Sequence, residues 1–162
     1  MRRDAISYIT AHPATFALRT ANRARAYWGF DYSFTDALRS WGEVPRPALA
    51  VAALVEGGSW VALALLALVG LLCGRDLFGS GRLGLLVALV LAYALPHLVV
   101  FSAGRWHAPV LGFIAIFASA GLVRLTASRA AWRAVIRTPA VIAAFAVFAL
   151  IQIEYAYWLV VG

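Results

Sequence analysis

The sequence contains no lysine, one cysteine and few charged side chains, only 13% of its 162 residues. Each shortage excludes something. The lone Cys73 cannot close an intramolecular disulfide, and its place at the end of an apolar run reads as a packed, inert thiol. With lysine missing, all fourteen bases are arginine, which together with abundant Ala, Val, Leu and Gly suggests a GC-rich bacterial genome. A net charge of +7 raises nucleic acid as a partner, but no DNA- or RNA-binding motif accompanies it. Instead the arginines sit in short loops between apolar runs, where anionic membrane lipids are the usual partners. No metal-ligand cluster, phosphate-binding glycine loop or catalytic triad occurs, so no catalytic residue, metal or cofactor is assigned. Arg2 and Arg3 run into Asp4 and a mixed segment, not a continuous apolar stretch, so no cleavable signal peptide is expected.

What the chain does have is hydrocarbon: 64% hydrophobic residues and a mean hydropathy of +0.85. That is more apolar surface than one small water-soluble core can hide, which implies a membrane protein. Between residues 6 and 28 apolar side chains recur every three or four positions while Arg19, Asn22 and Arg23 share another face, the pattern of an interfacial helix. Pro13 suits a first turn, so one helix should end near Ala11 and a second begin at the proline. Ser33 followed by Asp36 resembles another helix start, with Phe34, Leu38 and Trp41 as its apolar stripe. Beyond VPRP, residues 44–47, an apolar run to Cys73 exceeds the roughly 20 residues needed to cross hydrocarbon, so it must tilt, kink or begin outside. Further spans are expected at about 83–102, 106–125 and 140–159, and the continuous Ala/Leu-rich runs do not suit a barrel. The expected fold is all-α, a polytopic membrane protein with four transmembrane helices preceded by amphipathic interfacial helices. Residues 1–46 form the interfacial segment and 47–162 the membrane region.

Arginine orients the spans. Loops 74–82 and 124–138 carry six arginines, against three at span ends on the other side, which makes the first side cytoplasmic and puts both termini outside. The loop 124–138 reads as solvated chain against lipid phosphates. At 1.5 Å per residue, Glu56, His97 and Glu154 then fall at one depth in the outer leaflet, with Arg105 and His107 in the connection just above. Ionisable groups in lipid are costly and face a partner, a cavity or water. One reading is a polar pocket for an anionic head group, with Arg105 as phosphate donor and the two histidines as hydrogen-bonding partners. The other is that Glu56 and Glu154 reach interfacial water, with Trp60, Tyr155, Tyr157 and Trp158 as an aromatic belt. Gly57 and Gly58 either loosen the first span or admit a neighbour, and Pro96 bends the second span beside His97.

RWHAP, residues 105–109, stands between a span ending HLVVF and one beginning PVLGFIAIFASAGL. It resembles the arginine, aromatic, two residues, proline signature in the late helices of GT-C glycosyltransferases, and residues 5–29 resemble the amphipathic segment preceding those helices. Trp106 stands where tyrosine is usual, and Gly112 where a second proline is frequent. The resemblance implies a sugar transferred from a polyprenyl phosphate carrier at the extracytoplasmic face of the bacterial inner membrane. It also implies a catalytic carboxylate in an acidic motif after a first transmembrane helix, and nothing like that helix precedes Asp31 or Asp36. The chain therefore resembles a C-terminal portion that supplies carrier binding through Arg105, His107, His97, Glu56 and Glu154, inactive without a separate catalytic membrane subunit. A noncatalytic bundle that binds lipid or scaffolds an envelope complex, and a small transporter subunit built on Pro96, His97 and the glutamates, are the alternatives.

Overall fold

The computed structural model describes the backbone of residues 2–42, 44–100 and 104–161, and side chains within 6–153 apart from 43, 75, 80 and 101–105. Among these residues every regular element is a helix. Helices α1 (Arg2–Ala11) and α2 (Pro13–Trp28) meet at the break that Pro13 imposes, since its ring suits the first turn of α2 and not a helix interior. The short α3 (Ser33–Ser40) follows, then α4 (Arg46–Cys73), α5 (Arg75–Phe78), α6 (Ser80–Val99), α7 (Leu111–Ala127), α8 (Arg129–Arg137) and α9 (Pro139–Val161).

Three stretches, Arg46–Cys73, Gly81–Val99 and Trp106–Ala127, are long and apolar enough to cross a membrane, and a fourth is reached if α8 and α9 count as one span bent by 68°. The exposed surface agrees with lipid as the solvent. Leu54, Val55, Leu85, Leu150 and Ile153 each present more than half of their area outward, with Leu54 at 72%. So continuous an apolar exterior would be a liability in water and is ordinary in hydrocarbon. The architecture is consistent with an integral membrane protein. With 28 residues, α4 extends about 42 Å against a hydrocarbon layer of about 30 Å. It is continuous through Gly57 and Gly58, and its first turns run beside α3.

The bundle is built on α4 and α7, its most extensive helix pair. The cause lies in two glycines. A Cβ on Gly70 would come within 1.8 Å of the Phe117 carbonyl oxygen, and one on Gly121 within 2.0 Å of the Leu66 oxygen. Without side chains there, the backbones approach closely and dispersion replaces the hydrophobic drive that lipid cannot supply. Trp60, Ala64, Ile114 and Phe117 continue the core along the same seam, joined by Phe148 from α9.

Two connections and one arginine contact go beyond the sequence reading. The entry into the third span is itself helical: Gly104–Val110 is a 3₁₀ helix, a tighter coil that often leads into an α-helix, and α7 begins at Leu111, inside the expected span. The arginine-rich 124–138 stretch is not an open loop. It contains α8, whose N-terminus is capped by the Ser128 hydroxyl accepting from the Ala131 N–H at 3.0 Å. Arg23 of α2 does not simply face outward, for its Nη1 donates to the Val99 carbonyl at 2.7 Å. That oxygen belongs to the last turn of α6, where carbonyls lack intrahelical partners and a cation is favoured. Arg19 instead stacks over Tyr8 at 5.7 Å.

Candidate functional site

Trp60 on α4 and His107 in the 3₁₀ helix stack almost parallel, 3.7 Å between ring centres, so the starts of α4's core face and of α7 meet at one end of the bundle. His107 is only 6% exposed. Its Nδ1 lies 3.1 Å from the Tyr27 carbonyl oxygen, and as a carbonyl only accepts, Nδ1 carries the proton. Tyr27, fully buried at the end of α2, sets its ring 6.0 Å from His97, which also touches Tyr93 and Trp106. His97 and His107 are thus brought into one aromatic cluster, through Tyr27. Burial pushes the Tyr27 phenol up to about 12, reinforced by Tyr93, so the hydroxyl stays protonated. Among the described residues neither the Tyr27 hydroxyl nor His97 Nε2 has a hydrogen-bond partner, although both are buried.

The remaining candidates part company. Glu56 lies toward the same end of α4, but its carboxylate is committed to α3: Oε1 accepts from the Phe34 N–H at 3.0 Å, and Oε2 from the Thr35 N–H at 3.0 Å and the Thr35 hydroxyl at 2.8 Å. It closes the helix N-terminus from outside, as a capping side chain and a favourable charge on the dipole. It does not reach for interfacial water, as one sequence reading had it. Asp31 takes the preceding Ser33 N–H at 3.1 Å. Arg105 belongs to the 3₁₀ helix and Glu154 to α9, but their side chains fall outside the described residues. Tyr155, Tyr157 and Trp158 do so too.

Gln152, which sequence reasoning passed over, and Trp60, read there only as part of an aromatic belt, hold this end together. Gln152 of α9 accepts from the Phe30 N–H at 3.1 Å and donates to the Trp28 carbonyl at 3.0 Å. Trp60 Nε1 donates to that same carbonyl at 3.2 Å. The turn after α2 is therefore tied to α4 and α9 at once, and the Phe30 ring lies against the bare Gly57 backbone. The signal for Gln152 was in plain view: it is the one amide in a long apolar run, and a polar group there needs a partner.

Below the Trp28–Trp60 pair, stacked with centres 6.4 Å apart, an apolar groove of about 460 Å³ runs between α4, α6, α7 and α9. Small residues line it from two helices, Ala64 and Ala67 from α4 and Ala143 and Ala144 from α9, together with the rings of Phe117 and Phe148. Among the described residues no ionisable side chain lines it. Its volume falls in the range of small-molecule sites, roughly 300–1,000 Å³, and its chemistry suits hydrocarbon alone. No family model, curated protein or solved structure matches the chain. Among the described residues no group of three or more His, Cys, Asp or Glu is placed to hold a metal ion.

Proposed function

We propose that this chain is a four-span lipid-binding bundle of the bacterial inner membrane, with both termini extracytoplasmic. In this reading it contributes the polyprenyl phosphate-binding helices of a GT-C glycosyltransferase and works beside a separate catalytic subunit. The observation that carries it is the groove between α4, α6, α7 and α9, apolar along its length and roofed at one end by Trp28 and Trp60. A linear isoprenoid needs such a hydrocarbon slot with polar groups at one end only. Two buried polar atoms without partners among the described residues, Tyr27 Oη and His97 Nε2, stand at that end, and the 3₁₀ helix carrying His107 also carries Arg105. The planar guanidinium of Arg105 would give a phosphate two parallel hydrogen bonds, which lysine cannot.

The test is binding of polyprenyl phosphate to purified protein in detergent. Ala67→Phe, which fills the groove, is expected to weaken binding at least tenfold. Arg105→Ala should weaken it by roughly 1.5–3 kcal/mol, the worth of a charged hydrogen bond, with Arg105→Lys in between. Wild-type affinity in Ala67→Phe would sink the groove as the chain site. The commitment of Glu56 to α3 favours a second reading, a noncatalytic bundle that takes a lipid tail without recognising its head. It would show as loss in Ala67→Phe and no change in either Arg105 variant. The same commitment removes one of the two glutamates on which ion transport rested.

A further inference from the structure

At the opposite end of the bundle, Arg124 of α7 donates from Nε to the Cys73 carbonyl at 2.8 Å and pairs with Asp76. This ties the last turns of α4 and α7 together and fixes where α8 begins. Its sequence, RAAWRAVIR, places Arg129, Arg133 and Arg137 four residues apart, hence along one stripe about 12 Å long. All three are exposed, and none has an acidic partner among the described residues. Beside that stripe lie Trp132 and Ile136, exposed by 48% and 45%. On the far flank Val135 is buried against Val69 and Val141, with Leu72 and Leu125 around it, so α8 is docked to the bundle and cannot swing freely. The 68° bend between α8 and α9 turns it away from the direction of the adjoining apolar helix.

We infer that α8 is a docking face for anionic phospholipid, with the three arginines on head-group phosphates and Trp132 and Ile136 sunk just beneath them. Three features select a bilayer over another macromolecule. The aromatic and aliphatic side chains border the positive stripe instead of opposing it, which lets arginines reach up while their neighbours dip. Leu122, Val123 and Ile142 on the flanking helices are exposed too, so the apolar surface at α8 continues onto the bundle's lipid-facing exterior. The helix itself contains no acidic residue, so its field has one sign. The inference stands whichever lipid occupies the groove.

The experiment uses the full chain in nanodiscs of zwitterionic phosphatidylcholine doped with a small fraction of brominated lipid. Trp132 fluorescence is isolated as the difference between the wild type and Trp132→Phe. Brominated phosphatidylglycerol is expected to quench Trp132 several-fold more than the same fraction of brominated phosphatidylcholine, since each juxtamembrane base enriches anionic lipid by about fivefold. Arg129→Gln/Arg133→Gln/Arg137→Gln should bring the two lipids level. High salt should shrink the wild-type preference, as head-group attraction fades beyond a Debye length of about 3 Å at 1 M. The salt series needs no arginine variant, only the Trp132→Phe reference, so it decides even if the triple substitution fails to fold. Equal quenching by the two lipids in the wild type, no quenching by either, or a preference untouched by salt would overturn the inference.

Discussion

Replacing Glu56 with alanine removes three hydrogen bonds at once, two of them to main-chain N–H groups of α3. Phe34 and Thr35 occupy the second and third positions of that helix, where no intrahelical carbonyl is available to them. A lost capping group costs about 0.5–2 kcal/mol. Here the acceptor is charged, which favours the upper end, yet the Phe34 bond is exposed, which favours the lower. The expected loss is about 2 kcal/mol of local stability, a shift of roughly 30-fold in the opening equilibrium. Amide hydrogen exchange reads those same two N–H groups directly. Peptides covering 32–39 should exchange about 30-fold faster in Glu56→Ala, with Glu56→Gln intermediate because one acceptor oxygen survives. Peptides from the α4–α7 seam should not change, since neither glycine contact involves α3. Unaltered exchange at Phe34 and Thr35 would refute the capping role and return Glu56 to the candidates for ligand binding.

Gly121→Ala should destabilise the bundle by about 1–3 kcal/mol in a detergent unfolding titration, because its Cβ would collide with the Leu66 carbonyl, a backbone atom that cannot turn aside. Gly112→Ala is the control: nothing lies within 4 Å of its Cβ, and the helix should gain slightly. Gln152→Leu keeps the volume but leaves the Phe30 N–H without its acceptor, at a cost of about 1–3 kcal/mol visible as a lower thermal midpoint. Stability should fall as pH rises above about 10, the ordinary tyrosine value, toward about 12, because the unfolded chain ionises Tyr27 first while the folded one holds the proton. Tyr27→Phe should flatten that alkaline limb of the unfolding midpoint; an unchanged limb would assign it to another tyrosine.

Periodicity and composition alone determined that this chain is helical and rich in helices long enough to cross a membrane, and Pro13 alone marked the α1–α2 boundary. These features are local: apolar run length and the geometry of one ring suffice to fix them. The 3₁₀ helix and α8 were less legible. Pro109 is compatible with either kind of helical start, and an arginine-rich stretch looks like open loop until Ser128 caps it and Val135 finds Val69. Sequence spacing also put Glu56, His97 and His107 toward one end, but depth along a helix says nothing about azimuth. Only the tertiary structure decided that His107 turns onto Trp60 and the Tyr27 carbonyl, and that His97 meets the Tyr27 ring. It also decided that Glu56 turns to α3. The groove was equally out of reach, because Ala64, Ala67, Ala143 and Ala144 are unremarkable along the chain. They line a space only when helices far apart in sequence are brought together around it, and Gly70 and Gly121 fix how closely α4 and α7 pack.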